Sequence, residues 1–468
     1  MEAREVFDLA IIGSGPGGYV AAIRAHQLGL KTAIVERDVR LGGTCLLRGC
    51  IPTKVLLHDA ALLGKIRRAS KHGFNTGDVE VDFSKVQKRK SVIVGKLTKG
   101  VEFLMKKNEV VTFKGNATMT GPGHIAVEGN GSTTQVRAKH VIVATGSEPK
   151  SLPGYDVDGQ FVITNNEALD LESIPKSMVI VGAGAVGVEF ASIYSSFGTR
   201  VTLLEVLPQL VPIEDEDVSK ELRRALKKQG IDVHTEARLE SAVVREGTLE
   251  VVFRTANGEE KHVQAEKLLM ATGRTPNTSG IGLEKLGVVT DDKGYVKVND
   301  YMESNVPGVY AIGDIVPTPW LAHVASHEGV VAVERIAGRN PVPIRYDQVP
   351  GCTYCEPQVA SVGLTEAAAR AAGHSVKVGK FPFSSIGKAM IEDATDGFVK
   401  VVTDEKYGEI LGVHMIGSGV TELIAEAVAS IGLEATAEDL IHTIHAHPTL
   451  SEAVHEAMEG VYGVSIHM

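Results

Sequence analysis

An α/β fold with two βαβ halves, followed by a C-terminal α+β domain, is predicted by three observations on the sequence. First, an apolar strand pattern at Phe7–Ile12 runs into Gly13-Ser14-Gly15-Pro16-Gly17-Gly18. A helix-like run from Tyr19 to Leu30 follows, then a second strand, Lys31–Val35, ending at Glu36. Second, the same order returns at Met178–Val181, Gly182-Ala183-Gly184-Ala185-Val186-Gly187, a helix, and the strand Arg200–Leu204 ending at Glu205. From Gly13 to Glu36 and from Gly182 to Glu205 is 23 positions in each case, an agreement that chance does not readily supply. Third, each copy has a later strand that ends alike, Val141–Gly146 and Leu268–Gly273, both closing on Ala-Thr-Gly.

Each copy has the layout of a Rossmann-like dinucleotide-binding domain. The first glycine (Gly13, Gly182) makes the turn and the second (Gly15, Gly184) lets a pyrophosphate approach. The third (Gly18, Gly187) lets the helix pack, and the acid (Glu36, Glu205) accepts from a ribose hydroxyl. Alone, the glycine pattern is only a flexible turn; the strand before, the helix after and the acid at the right distance make it specific. Between the first half and Val141 lies a basic stretch from Lys85 to Lys107. Ile93, Leu97, Val101 and Leu104 recur there at helical steps, so one face is apolar and the lysines read as its solvated face. From about Arg345 strand-like runs (Val359–Gly363, Gly397–Thr403, Gly408–Ile416) precede helices near Thr421–Ile431 and beyond Ala437, the α+β pattern of the last domain.

The length, 468 residues, is about three domains' worth. A formal charge of −10 argues against a nucleic-acid partner. The longest apolar run, Met178–Val188, is too short and glycine-rich to span a bilayer. The acidic N-terminus shows no signal peptide, and four cysteines in so long a chain fit a reducing compartment, so a cytoplasmic location is expected.

Two of the cysteines stand directly after the first glycine pattern, in Gly42-Gly43-Thr44-Cys45-Leu46-Leu47-Arg48-Gly49-Cys50-Ile51-Pro52-Thr53-Lys54. On an ideal helix, five residues of rise separate two Cα atoms by roughly 7.5 Å. A relaxed disulfide wants about 4.4–6.8 Å. A bridge therefore needs a tightened or irregular turn, which Gly49 and Pro52 permit; two reduced thiols in a helix are the other reading. Cys352 and Cys355 form a Cys-x-x-Cys, which can be half of a redox or zinc site. With no second ligand pair at a suitable spacing, two small packed residues are expected there.

The glycine-rich stretch with its Cys-x4-Cys closely resembles the active-site segment of the flavin-dependent pyridine nucleotide–disulfide oxidoreductases, and the resemblance runs over nearly the whole chain. It implies a redox-active Cys45–Cys50 disulfide, with Cys45 the outer sulfur and Cys50 beside the flavin. It implies FAD in the first nucleotide domain and a nicotinamide in the second. Residues 1–149 would form the FAD-binding domain and 150–276 the NAD-binding domain; 277–345 would return to the FAD domain and 346–468 would form an interface domain. Thr145 and Gly146 would border the first nucleotide site and Gly273 the second. In Val309–Asp314, Asp314 would hold the ribityl chain of FAD, and Leu321-Ala322-His323 would line the flavin through Ala322. Lys54 would lie near flavin N5, paired with Glu189, an acid in an otherwise apolar turn for which burial with a partner is expected.

The tail reads His445-Ala446-His447-Pro448-Thr449-Leu450-Ser451-Glu452. Thr449-x-x-Glu452 has the spacing of a capping box opening the last helix. By the same resemblance, Glu452 orients His447 as the proton-transferring base, contributed across an obligate homodimer, and one carboxylate can serve both ends. His445 is left as a supporting or packed residue.

Within the family, the branch that oxidises dihydrolipoyl groups with NAD⁺ fits best. Its partners would be lipoyl domains of 2-oxo acid dehydrogenase acyltransferases or the glycine cleavage carrier protein. Glu205 is followed by Val206-Leu207-Pro208-Gln209-Leu210, with no arginine to meet a 2′-phosphate, so NAD is favoured over NADP and a glutathione reductase is the alternative. A mercuric reductase is disfavoured, since Gly460–Met468 holds no cysteine pair. A non-catalytic docking subunit is the alternative of a different class, against which the intact cysteine pair and His447 argue. Leu47-Arg48 departs from the smaller polar and apolar residues expected between the cysteines, which touches the packing there and not the sulfur chemistry.

Overall fold

Strand polarity divides the first nucleotide region into two halves. In the computed structural model, which describes residues 2–467 and residues 2–5 by backbone alone, strands run in the order Val111–Lys114, Thr32–Glu36, Glu2–Ile12, Ser132–Val143, His124–Gly129, Asn116–Gly121. Val309–Ala311 adds a seventh, parallel strand beside Ser132–Val143. The first three strands and Ser132–Val143 are parallel, with Ile12 opposite Val35 on one side and Val143 on the other. The central ones are buried on both faces as continuous apolar runs such as Leu9–Ile12 and Val141–Val143, whereas the edge strand Val111–Lys114 is largely exposed. The outer strands form an antiparallel meander.

Two compact units make up the chain. One gathers the residues up to Val55, Lys85–Lys150 and Arg274–Tyr346; the other gathers Leu56–Ser84, Ser151–Gly273 and the residues from Asp347 onward. The second unit has its own parallel sheet, in the order Asp232–His234, Arg200–Leu204, Ser177–Val181, Lys267–Met270, Val162–Ile163. Here too an antiparallel meander (Arg238–Arg245, Thr248–Arg254, Glu260–Ala265) intervenes before the closing strand. Neither meander was anticipated from the sequence. The same unit carries the α+β portion: a five-stranded antiparallel sheet ordered Gly351–Thr353, Gln358–Gly363, Ile410–Gly417, Phe398–Asp404, Val376–Pro382. Helices Val420–Gly432 and Glu452–Gly460 pack on it through Ile424, Ala427, Val454 and Met458.

The basic stretch is a helix, Phe83–Lys107. Its buried stripe is Val94, Thr98, Val101 and Met105, one position off the anticipated one: Leu97 is exposed, and Lys90 is buried instead of solvated. No described helix is long and apolar enough to cross a membrane. Cys352 packs against the apolar cluster of the antiparallel sheet, and the buried Cys355 thiol donates to the Pro357 carbonyl at 3.2 Å, so both serve as small packed residues.

One buried cation ties the segment after Glu205 to the antiparallel sheet. Lys400 Nζ, with its side chain 4% exposed, lies 2.9 Å from Asp215, 3.0 Å from Asp217 and 3.0 Å from Glu366. Asp215 also caps the helix Glu216–Lys228 by accepting from Asp217 N–H. Burial works to raise Asp215 and Asp217, but Lys400 outweighs it and holds both low; Lys400 itself is the main cause lowering Glu366. Carboxylates depressed in this way stabilise the fold above their unfolded-state pKa values, and that contribution is lost as pH falls through the depressed folded values. Lys400→Met strands the buried Asp215 without its cation. It should cost about 3 kcal/mol in urea unfolding at neutral pH, and the deficit should shrink on acidification below the usual carboxylate range. A deficit that does not change with pH overturns the electrostatic account.

Candidate active site

The site begins where the strand Thr32–Glu36 ends. Glu36 is buried and accepts from Ser14 N–H at 2.8 Å, Ser14 Oγ–H at 2.5 Å and Asp38 N–H at 2.8 Å. In the second copy Glu205 accepts from Ala183 N–H at 2.6 Å and Leu207 N–H at 2.9 Å, the same two places in the motif. The glycines explain themselves by what a side chain would meet. A Cβ at Gly18 would lie 1.9 Å from the Gly13 carbonyl oxygen, and one at Gly187 1.8 Å from that of Gly182. The third glycine therefore lets the helix's first turn close on the first glycine. A Cβ at Gly15 or Gly184 would meet nothing within 4 Å. That open space above the uncapped start of the helix Pro16–Gln27, with a buried acid alongside, fits the pyrophosphate and ribose of a dinucleotide.

Ser14 also accepts from Gly42 N–H at 3.1 Å, linking the acid to the start of the cysteine segment. Gly43 is held against the loop as well, since a Cβ there would fall 2.6 Å from Gly15 Cα. The helix Gly43–Arg48 ends at Gly49, whose φ of −141° and ψ of −118° break it, and a new helix, Cys50–Arg67, starts at once. Only glycine fits the break, because a Cβ would sit 2.8 Å from the Thr44 carbonyl oxygen. Thr53 N–H and Oγ–H both bond to the Gly49 carbonyl, at 3.1 and 2.7 Å, which anchors the new helix. Pro52 lies in its first turn, where a missing N–H costs no helical bond.

Both cysteines are thiols, Cys45 half-buried and Cys50 exposed. Their hydrogen bond is the main reason the Cys45 thiol is pushed far above its ordinary range; burial and the charge of Cys50 add to it, and the Lys54 ammonium pulls the other way. The bond thus joins two sulfurs of unequal burial, Cys45 being the more buried. Arg48 ion-pairs with Asp38, so the unexpected arginine pins the end of the cysteine helix to the loop after Glu36.

Around Asp314 the sequence foresaw one acid and missed its partners. Asp314 accepts from Ser147 Oγ–H at 2.5 Å, and Ser147 in turn holds Arg274 through its hydroxyl at 2.7 Å and its carbonyl at 2.6 Å. Burial lowers the Arg274 pKa from its ordinary value, and the charges of Asp314, Glu148 and Cys50 act against that fall. Cys50 and Asp314 thus both lie within electrostatic reach of the same arginine. Thr145 Oγ–H donates to the Asn277 carbonyl at 2.7 Å, and Asn277 N–H returns to the Gly146 carbonyl at 2.9 Å. Ala322 opens the helix Ala322–Ile336, whose start no side chain caps. Ser147, Arg274 and Asn277 carry no motif; only their nearness to the two Ala-Thr-Gly strand ends could have marked them.

Gly13, Gly15, Gly18, Glu36, Cys45, Cys50, Lys54, Thr145, Gly146, Asp314 and Ala322 all belong to the first unit. Gly182, Gly184, Gly187, Glu189, Glu205, Gly273, His447 and Glu452 belong to the second. Glu189 is buried at 5% exposure and accepts from Tyr354 N–H at 2.9 Å. His447 is 78% exposed, with Nδ1 2.8 Å from Glu452 Oε1. The other carboxylate oxygen accepts from Thr449 N–H at 2.9 Å. Glu452 thus bonds to a histidine ring and to backbone at once. The capping box itself is only half made: the helix starts at Glu452 after Ser451, and Thr449 Oγ–H donates to the Ala446 carbonyl instead. Burial acts to raise Glu452, yet the Thr449 N–H and His447 outweigh it and leave it below its ordinary value. A carboxylate can only accept, so Nδ1 carries the hydrogen toward Glu452. His445, with its side chain nearly buried, pairs with Glu426 at 2.7 Å, the supporting arrangement.

Comparison with known proteins agrees with this geometry. Residues 7–329 match the family model of the pyridine nucleotide-disulphide oxidoreductases, and residues 349–458 match that family's dimerisation domain. The chain is 47% identical to a dihydrolipoyl dehydrogenase of Bacillus subtilis, over 98% of this chain and 99% of that one. It is 46% identical to a dihydrolipoyl dehydrogenase of Rhizobium etli, over 98% of each. Among solved structures, LpdA from Mycobacterium tuberculosis superposes with a TM-score of 0.89 at 27% identity, over 96% of this chain and 98% of that one. The chain belongs to the pyridine nucleotide-disulphide oxidoreductase family.

Proposed function

We propose that this enzyme oxidises protein-bound dihydrolipoyl groups to the lipoyl disulfide and reduces NAD⁺ to NADH and a proton. The observation that carries the reading is the cysteine pair brought into hydrogen-bond contact across the break at Gly49, beside a dinucleotide-binding loop. The first nucleotide region holds FAD through Gly13, Gly15, Gly18, Glu36, Thr145, Gly146, Asp314 and Ala322, with Lys54 beside it. The second holds NAD through Gly182, Gly184, Gly187, Glu205 and Gly273, with Glu189 bordering it. When bound, FAD supplies a two-electron relay from sulfur to nicotinamide, which a thiolate cannot serve directly.

In the oxidised enzyme Cys45 and Cys50 are joined. A substrate thiolate attacks Cys45 Sγ, the sulfur–sulfur bond breaks, and Cys50 leaves as a thiolate. The second substrate thiol attacks the mixed disulfide, releasing lipoyl disulfide and leaving both electrons on the enzyme cysteines. Cys50 takes the leaving role: it is hydrogen-bonded to the more buried Cys45 and lies within electrostatic reach of the arginine that Asp314 and Ser147 hold. His447 Nε2 takes the proton from the attacking thiol, with Glu452 fixing its ring. Chain 346–468 serves as the interface region of a homodimer, and the base at each disulfide is His447 of the partner subunit. Lipoyl domains of 2-oxo acid dehydrogenase acyltransferases or of the glycine cleavage carrier are the partners, and the cytoplasm is the setting.

Purified protein should be yellow with FAD bound, and Cys45→Ser should show long-wavelength thiolate-to-flavin absorbance without reductant. If Cys50→Ser does so instead, the two sulfurs are reversed. NAD⁺ should be preferred over NADP⁺, and Glu205→Ala should narrow that preference in steady-state assays; an enzyme already preferring NADP⁺ contradicts the reading. A free thiol of pKa near 8.5 is mostly protonated at neutral pH, and an oriented base contributes about 10²–10⁴-fold. His447→Gln should therefore slow dihydrolipoamide oxidation by that order. FAD content and NADH-driven reduction of an artificial acceptor at the flavin should persist. Mixing His447→Gln with Cys45→Ser subunits should restore activity through one intact site per heterodimer. No recovery after verified subunit exchange would mean that His447 serves its own subunit's cysteines or none.

A further inference from the structure

Glu328 has no part in the chemistry above and no motif marks it, yet it is an acid with 0% of its surface exposed. It lies on the helix Ala322–Ile336. Its Oε2 accepts from Gly313 N–H at 2.6 Å, and its Oε1 accepts from the hydroxyls of Thr318 at 2.7 Å and Tyr346 at 3.0 Å. Burial raises its carboxyl above the ordinary range, against these three donors. A buried carboxylate costs stability unless fully hydrogen-bonded, so an apolar residue would be the cheaper filler here.

What the acid holds is informative. Gly313 opens the short 3₁₀ turn Gly313–Ile315 that presents Asp314, and its φ of +71° makes this a turn that side chains rarely adopt. Thr318 lies midway between Asp314 and Ala322. The neighbouring Gly329 lets the helix sit directly on the first dinucleotide helix, since a Cβ there would fall 2.7 Å from the Gly17 carbonyl oxygen. Ser326 adds a hydroxyl contact to the Pro16 carbonyl at 3.4 Å. The helix is thus located by the glycine loop, and Glu328 hooks the Asp314 turn onto that helix.

We propose that Glu328 is a positioning residue for the flavin. By accepting the Gly313 N–H it fixes the Asp314 turn relative to the glycine loop and the Ala322 helix start, so that a preformed cradle meets the cofactor. This rests on the flavin reading above and names a residue that acts without touching the cofactor.

The test uses full-length protein, stripped of FAD and titrated with FAD by fluorescence. Bound-flavin circular dichroism, hydrogen exchange of the 309–321 segment and the urea midpoint are read alongside. Glu328→Met removes the acceptor at similar volume, and the FAD dissociation constant should rise about ten- to a hundredfold. The flavin dichroism and the protection of 309–321 should fall with it. Glu328→Gln can still accept from Gly313 through its carbonyl while the two hydroxyls turn to accept from its amide, and should stay within about threefold of the unaltered protein. If Glu328→Met does not fold, Glu328→Asp, one methylene shorter, carries the same readouts and the same expected loss. A lowered urea midpoint with FAD affinity and flavin dichroism unchanged overturns the proposal, because that is what packing alone predicts. Equal losses in the Met and Gln variants overturn it too, since charge and not the acceptor would then matter. Unaltered protein that binds no FAD refutes the flavin reading itself, a result distinct from either.

Discussion

The hydrogen-bonded chain Glu36–Ser14–Gly42 is the constraint on which the site depends. Glu36 and Ser14 are buried, so each polar group there must be satisfied or cost roughly 1–3 kcal/mol. Ser14 meets the demand from both sides: its hydroxyl donates to the acid and accepts from the backbone of the cysteine segment. The carboxylate at the end of one strand thereby fixes where the redox helix begins. The second copy has alanine at the matching place, so Glu205 bonds to backbone alone and nothing comparable is hung from it.

From Gly42 onward the geometry follows from close approach. Gly43 lies on Gly15, the helix runs only to Arg48, and Gly49 turns the chain where any side chain would strike the Thr44 carbonyl. Rise along an unbroken helix would keep the cysteines roughly 7.5 Å apart; the break replaces that rise with a hydrogen bond between their sulfurs. That bond is also unequal. Cys45 is the more buried, whereas Cys50 is exposed and lies within electrostatic reach of Arg274. The backbone break thus decides whether the sulfurs meet.

The repeated glycines and the two acids were legible in the sequence because each belongs to a fixed-spacing pattern set by backbone sterics and a few hydrogen bonds, whereas the cysteine pair and the His447–Glu452 pair were marked by resemblance to the family. The antiparallel meanders before each closing strand were not, since a short alternating run states its partner only weakly. The helix Phe83–Lys107 shows the limit of periodicity. Two apolar stripes one residue apart, Ile93-Leu97-Val101-Leu104 and Val94-Thr98-Val101-Met105, share Val101, and packing chose the one containing a threonine. Lys400, Ser147, Arg274 and Glu328 were invisible for a different reason. The partners of Lys400, Ser147 and Arg274 lie far off in sequence, and Glu328, an isolated acid on a helix, reads as surface until the fold buries it.

The tail shows how far one carboxylate can be stretched. Glu452 faces His447 with one oxygen and the Thr449 N–H with the other, and with His447 so exposed the ring contact contributes at most about 1 kcal/mol. The backbone bond fixes the acid at the first residue of its helix, where the helix dipole also favours a negative charge. Both effects keep it ionised, and an ionised acid can only accept, so it dictates the tautomer of His447 as well as its orientation. A histidine 78% exposed would otherwise sample many rotamers. Rigidity at this position therefore comes from the start of the helix, and the exposure that leaves Nε2 open to a partner costs little precision.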